Sequence, residues 1–233
     1  MGPELKKMLG DQELGKTIIL ENSGASYLFN PNTRGLFRFV CQRPCIWPSA
    51  LCKLSGFSIP TVKWHLEKLH SIELVFTSTQ GRRTLYYPSS LISFEHVQIA
   101  SHLNNQTTRA IVMAIIDEGE VTQRTLESTF GFSQQNLSYH LKKLRGAGLI
   151  TRTTSKPRRK YRLGNEFKAI YQNILDRRDE FIKHLQNVII KDTSGLASVK
   201  KTKTKFLITL PDNEIWEIPL MPEIFNGFKG RNM

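Results

Sequence analysis

The sequence has little cysteine, no long apolar run and few acidic residues, and each shortage excludes a class of protein. Its cysteines, Cys41, Cys45 and Cys52, are odd in number, so they do not describe the disulfide framework of a secreted domain. No apolar run approaches the roughly 18 residues that a membrane-spanning helix needs. The first fifteen residues are charged and lack the apolar stretch of a secretory signal. We therefore expect a cytoplasmic protein with no membrane partner.

The shortage of acidic residues points to a polyanionic partner. The chain of 233 residues has 20 Asp and Glu against 33 Lys and Arg, which gives a formal net charge of +13. Between Glu127 and Glu166 there is no acidic residue at all. Such an excess most often serves nucleic-acid binding, and less often binding to an acidic membrane surface or an acidic protein.

Motifs typical of enzymes are also missing. The sequence has no glycine-rich phosphate loop, no nucleophile elbow, no paired zinc-ligand spacing and no carboxylate pair in a recognisable context. From this we predict no enzyme, no catalytic residue, no cofactor and no metal site. The three cysteines leave two interpretations open, a redox or metal sensor and small buried apolar groups, and the second is favoured.

An internal repeat with an offset of 75 residues organises the chain. Thr33-Arg34 matches Thr108-Arg109, and Gly56-Phe57-Ser58 matches Gly131-Phe132-Ser133. The densest stretch aligns residues 62–69 with residues 137–144, and no gap is needed anywhere. Two copies of one structural unit are the simplest explanation.

Each copy reads as three helices followed by a two-stranded ribbon. In the second copy, Leu137, Leu141 and Leu144 form one apolar stripe with helical spacing, and Ser133 is placed to cap that helix. The predicted helices and strands are 32–41, 48–54, 58–70, 74–77 and 84–87 in the first copy, and 107–118, 122–130, 134–145, 149–152 and 160–163 in the second.

The stretch GFSQQNLSYHLKKL at residues 131–144, followed by Gly148-Leu149-Ile150, resembles the recognition-helix region of winged helix-turn-helix regulators of the ArsR-like and MarR-like groups of archaea and bacteria. SIPTVKWHLEKL at residues 58–69 is similar to the same motif. The resemblance implies a mainly α fold with small β wings (α+β class), built from two consecutive winged helix-turn-helix domains. It also implies double-stranded DNA as the partner.

In such a fold the exposed face of the recognition helix meets base edges, while basic wings meet phosphates or the minor groove. Gln and Asn pair well with adenine, and Lys reaches guanine or phosphate. The candidate residues of the second recognition helix are Gln134, Gln135, Asn136, Ser138, Tyr139, Lys142 and Lys143. The candidates of the second wing are Lys156, Arg158, Arg159, Lys160 and Arg162.

The first copy leaves two interpretations open. Either it binds DNA, through Thr61, Lys63, Trp64, Lys68, Arg82 and Arg83, or its Ile59 and Trp64 pack against another domain or subunit. Glu67 on the same face would repel phosphates. His65 and His140 occupy equivalent positions in the two copies, and we expect both to be hydrogen-bonded structural histidines rather than metal ligands.

The remaining segments are assigned from periodicity and composition. The apolar positions of residues 165–190 predict a long helix, which either packs on its own chain or forms a homodimer interface. Alternating stretches predict strands at residues 17–20 and 25–29, and again at 205–210 and 214–220. The predicted divisions are an N-terminal extension with a hairpin at 1–30, a first unit at 31–90, a second unit at 104–164, the long helix at 165–190, a flexible basic linker at 191–205 and a C-terminal hairpin segment at 206–233.

These observations predict a sequence-specific DNA-binding transcriptional regulator associated with the nucleoid. The alternative is a protein-interaction or architectural module of a transcription, replication or chromosome assembly, with a transcription-machinery protein as its partner. Target genes, the direction of regulation and any sensed signal do not follow from the sequence.

Overall fold

A computed structural model describes residues 27–28, 30–153, 159–190, 198–202, 205–209 and 213–228. These residues are mostly helical, with small antiparallel sheets, in agreement with the predicted α+β class. Tyr27 and Leu28 are helical, so the strand expected at residues 25–29 is wrong at these two positions. The rest of the predicted N-terminal hairpin lies outside the described residues.

The predicted first unit contains three helices and a hairpin. They are α1 (Pro31–Gln42), α2 (Pro48–Ser55), α3 (Ile59–Ser71), β1 (Val75–Gln80) and β2 (Arg83–Pro88). A connection that the sequence did not indicate follows, consisting of α4 (Phe94–Ser101) and a 3₁₀ turn (His102–Asn104).

The predicted second unit has the same elements in the same order, with one short strand in addition. They are α5 (Gln106–Glu118), β3 (Val121–Thr122), α6 (Gln123–Phe130), α7 (Gln134–Gly146), β4 (Ile150–Arg152) and β5 (Lys160–Leu163). The 26-residue helix α8 (Asn165–Ile190) comes next, with the bounds that periodicity predicts.

Equivalent residues of the two units make equivalent local contacts. Asn30 and Asn105, 75 positions apart, cap α1 and α5, and each side chain accepts hydrogen bonds from two backbone amides. Ser58 and Ser133 cap α3 and α7, and each side chain accepts a hydrogen bond from one backbone amide, three residues further on. Gly131 ends α6 with φ of +65°, a left-handed conformation that favours glycine. The sequence repeat therefore places the same types of helix-capping residue at equivalent positions of the two units.

In each unit, residues just before the second helix pair with the hairpin. In the second unit β3 pairs with β5, with Val121 opposite Tyr161, and the sheet order is β3-β5-β4. In the first unit Ile46 and Tyr86 form an isolated bridge at the equivalent positions. Strand β3 was not predicted, since two residues are too short for a periodic signal.

A single hydrophobic core runs through both units. The third helices of the two units, α3 and α7, bury matching stripes, including Leu66 and Leu69 of α3 and Leu141 and Leu144 of α7. The apolar stripe of α8 is buried within the same chain, with Phe167, Ile174 and Phe181 fully inaccessible. This packing favours the intramolecular interpretation of residues 165–190, and a homodimer through this helix would have to use its polar side.

The C-terminal region forms a three-stranded sheet of β6 (Ser198–Lys201), β7 (Lys205–Thr209) and β8 (Ile215–Pro219), in that order. The hairpin β7-β8 agrees with the predicted strands. Strand β6, however, lies inside the predicted flexible linker, so that prediction is wrong for residues 198–201, which pair with β7. Residues 191–197 and 203–204 lie outside the described residues. Trp216 of β8 packs near Phe37 of α1, with ring centroids 6.1 Å apart.

Arginines of the two units bind carboxylates of the C-terminal segment. Arg34, which is buried, pairs with Glu214. Arg109 occupies the equivalent position in the second unit and pairs with Glu223 at 2.8 Å. Glu223 also accepts from Arg43 of the first unit at 3.2 Å. The C-terminal segment therefore contacts both units through ion pairs as well as through apolar packing.

Candidate nucleic-acid interface

Helix α7 presents one continuous polar face to solvent. Ser133 caps its first turn, and the buried stripe of Leu137, Leu141 and Leu144 fixes the rotation of the helix against the core. Every candidate residue predicted on this helix is exposed: Gln134, Gln135, Asn136, Ser138, Tyr139, Lys142 and Lys143. Tyr139 is 62% exposed although it is a large aromatic residue. The face therefore offers amide, hydroxyl, phenol and ammonium groups together.

The start of α6 supports this face from the side. Gln123 Nε2 donates to Ser138 Oγ at 3.2 Å and to Glu127 Oε1 at 3.0 Å. Sequence reasoning missed Gln123, although its place directly after the cap residue Thr122 indicates the first turn of α6. The contact orients the Ser138 hydroxyl on the exposed face.

The second wing adds positive charge beside α7. Arg152, Arg159, Lys160 and Arg162 are all exposed. Lys160 lies 3.4 Å from Glu120, and Arg162 Nε donates to Thr151 Oγ1 at 3.3 Å. Lys156 and Arg158, the other two candidates, lie outside the described residues. Of the wing candidates that are described, Arg159 and Arg162 have no carboxylate partner within the described residues.

In the first unit the structure divides the candidates between two places. Lys63, Arg82 and Arg83 line one open cleft of about 520 Å³ together with Glu67 and Trp47. The Arg83 guanidinium lies 5.5 Å from the centre of the Trp47 ring. Sequence reasoning missed Trp47, because only the fold brings it against the hairpin.

The other candidates of the first unit lie elsewhere on α3. Thr61 is hydrogen-bonded to the cap residue Ser58. The Lys68 ammonium lies 4.8 Å from the centre of the Tyr27 ring and 5.5 Å from that of Trp64. Trp64 remains 49% exposed. Lys68 is thus held by two aromatic rings, which leaves it less available for phosphate than an unattached lysine.

The two equivalent histidines differ. His65 Nδ1 and Thr33 Oγ1 are hydrogen-bonded at 2.8 Å, as expected. His140 Nδ1 is buried and has no hydrogen-bond partner in the described part of the chain, so the expectation is wrong for this atom. The reason is that Thr108, the equivalent of Thr33, donates instead to the carbonyl oxygens of His102 and Asn105. Burial lowers the pKa of both histidines, and Lys143 lowers that of His140 further.

The cysteines are free thiols, and two of them are fully buried. Burial raises the pKa of Cys41 and of Cys45 far above the ordinary thiol value, which disfavours the reactive thiolate. This environment supports the interpretation of small apolar core groups. Within the described ranges no group of three or more His, Cys, Asp or Glu residues is arranged to hold a metal ion. Nor does any described helix combine the length and apolarity required to cross a membrane.

Comparison with known families assigns part of this architecture. Residues 105–160 match the model of the MarR family. These residues form a MarR-like winged helix-turn-helix unit. The MarR-like unit contains α5, β3, α6, α7 and β4, and its outward face is the α7 face described above.

One curated relative extends the same similarity. It is an uncharacterized HTH-type transcriptional regulator of Methanocaldococcus jannaschii, 23% identical over 123 residues. The aligned segment covers 53% of this chain and 31% of the relative. The similarity of the chain is therefore to helix-turn-helix transcription regulators, and it spans about a third of that protein.

A comparison with solved structures matches human N-acetylserotonin methyltransferase in complex with S-adenosylmethionine, with 18% sequence identity and a TM-score of 0.27. The match covers 64% of this chain and 45% of the methyltransferase. Because this neighbour is an enzyme, it contradicts the prediction that the chain is not an enzyme, and that prediction is withdrawn. A TM-score this low carries no argument that the chain transfers methyl groups.

Proposed function

We propose that this chain is a sequence-specific, double-stranded DNA-binding transcriptional regulator with two consecutive winged helix-turn-helix units. In this proposal α7 of the MarR-like unit reads the major groove, and the basic wings contact phosphates or the minor groove. The observation that carries it is the exposed face of α7, which is free of acidic residues and lies inside the segment that matches the MarR family.

The two parts of this surface have different tasks. Gln134, Gln135 and Asn136 offer the amide groups that pair with adenine, while Ser138 and Lys142 lie one and two turns further along the helix. Arg159 and Arg162 supply charge that attracts phosphates of any sequence and releases counterions. Base selectivity should therefore depend on α7, and the salt dependence of binding should depend strongly on the wing.

A salt titration of duplex binding separates these tasks. For Arg159→Ala we expect weaker binding to every duplex and a salt slope that is flatter by about 1, since one phosphate contact is lost. For the double variant Gln135→Ala, Ser138→Ala we expect the same salt slope as the wild type but less discrimination between sequences. Gln172→Ala, an exposed glutamine on α8, serves as the control. An unchanged slope in Arg159→Ala would remove the wing from the proposal.

A second candidate function is a protein-interaction or architectural module. Its support is the exposure of large apolar side chains on α3 and α4, where Ile59 is 40%, Trp64 49% and Phe94 70% exposed. Such groups often mark protein interfaces. Binding to a protein partner that persists at a salt concentration that abolishes DNA binding would favour this candidate.

A further inference from the structure

We infer that the first unit also reads DNA bases but with different side chains from the second unit, and that its Lys63 and Glu67 recognise a G·C base pair or step. The chain would then bind a bipartite, asymmetric duplex site as a monomer. This inference rests on the proposed function of the second unit as a DNA reader, and it assigns a role to the carboxylate that otherwise opposes DNA binding.

The cleft of the first unit brings together two opposite charges of α3. Lys63 and Glu67 lie four positions apart on α3 and line the same cleft, so they are about 6 Å apart along the helix axis. Neither forms a hydrogen bond or ion pair with any other described residue, and they do not pair with each other. Their charged ends are therefore available to a ligand in the cleft.

The surroundings of Glu67 compensate for its charge. Arg82 and Arg83 of the hairpin line the same cleft. Tyr86 of β2 lines this cleft together with Glu67, and its pKa is raised, first by burial and then by the Glu67 carboxylate. The two arginines of the hairpin can hold phosphates while the single carboxylate of the cleft meets base edges.

The equivalent positions of the second unit explain what the first unit would read. Lys63 corresponds to Ser138 and Glu67 to Lys142, both 75 positions later. In the major groove, lysine donates to guanine N7 and O6, whereas glutamate accepts from the amino group of cytosine. The amides of the second unit are suited to adenine. The two units thus present different donor and acceptor patterns on the same scaffold, which predicts two unlike half-sites.

The charge of the cleft favours DNA over a protein as the ligand. Ile59 and Trp64, the apolar groups that would suit a protein partner, do not line it. Three cations, Lys63, Arg82 and Arg83, line it against the single carboxylate of Glu67, so its net charge is positive.

The test is selection of bound duplexes from a random pool with the full chain. The variants are Glu67→Gln, Lys63→Ala and the double variant Gln135→Ala, Ser138→Ala. Glu118→Gln removes the same charge from an exposed helix end and is the control. We expect the wild type to enrich two blocks of sequence, and the control to enrich the same two.

For Glu67→Gln we expect one block to lose its preference for cytosine by roughly 5-fold or more, with the other block unchanged. Removal of the carboxylate should also raise affinity for unrelated duplexes, a combination that a purely structural role of Glu67 would not give. Lys63→Ala should weaken guanine preference in the same block. The double variant in α7 should damage the other block instead.

The outcomes separate the two proposals. If Glu67→Gln and Lys63→Ala leave every base preference unchanged while the α7 variant loses its block, the first unit does not recognise bases. Its exposed face is then assigned to protein binding. If the wild type enriches no sequence, both the inference and the proposed function are overturned.

Discussion

Phe225 holds the C-terminal segment onto α8, and its truncation to alanine should destabilise the whole chain. The Phe225 side chain is 3% exposed. Its ring centre lies 4.9 Å from that of Phe167 and 5.5 Å from that of Tyr171. Phe→Ala changes in cores cost about 3 to 5 kcal/mol. We expect about 3 kcal/mol here, because Phe225 ends a short 3₁₀ turn, Glu223–Phe225, which can partly collapse into the space.

The assay is urea unfolding followed by tryptophan fluorescence, since Trp216 lies in the same C-terminal region. With a slope of roughly 2 to 3 kcal/mol per molar urea, the midpoint should fall by about 1 to 1.5 M. Phe94→Ala is the matched control, because the same side chain is removed from a site that is 70% exposed, and it should shift the midpoint little. If the two variants shift the midpoint equally, the C-terminal segment is not part of the core and our description of it is wrong.

Three further predictions concern the same scaffold. Glu223→Gln leaves its two arginine partners without a carboxylate and should lower the free energy of unfolding by about 1 to 2 kcal/mol, an effect that should shrink in high salt; a salt-independent loss would contradict the ion-pair explanation. Gly164→Ala places a Cβ 2.0 Å from the carbonyl oxygen of Gly148, so we expect the free energy of unfolding, measured by thermal unfolding, to fall by more than about 3 kcal/mol. As its control, Gly35→Ala in helix α1 places a Cβ that meets nothing within 4 Å, and it should raise the free energy of unfolding by about 0.5 to 1 kcal/mol. Burial lowers the pKa of His65, so below about pH 6.5 the unfolded state binds a proton more readily than the folded state does. The free energy of unfolding should therefore fall as the pH is lowered from 7 to 5. The variant His65→Gln should show a smaller change in the free energy of unfolding over this pH range.

Much of the fold follows from local signals in the sequence. Helix α8 has the predicted bounds because its apolar positions keep helical spacing over 26 residues. The cap at Ser133 was predicted from the hydrogen-bonding capacity of serine at the start of a helix. The outward face of α7 was predicted from its leucine stripe, because a stripe that packs on the core leaves the opposite side of the helix exposed.

Features that depend on contacts between distant segments could not be predicted. Strand β6 lies in a basic stretch whose composition is typical of a linker, and it pairs with β7 while its Lys201 forms an ion pair with Asp179 of α8. Arg34 and Arg109 were recognised as repeated residues, but their carboxylate partners lie more than 100 positions away in the sequence. The cleft that joins Trp47 to Glu67 exists only because the first hairpin folds back over α2 and α3.

The most direct test of the account is whether the chain selects a DNA sequence through α7. Full-length protein should be used to enrich duplexes from a random pool at physiological salt, beside a variant with Gln134, Gln135 and Ser138 all replaced by alanine and the Gln172→Ala control. We predict an enriched motif for the wild type and the control, and the loss of an A·T-containing block in the triple variant. Equal enrichment by the triple variant, or no enriched sequence for the wild type, would contradict the central claim.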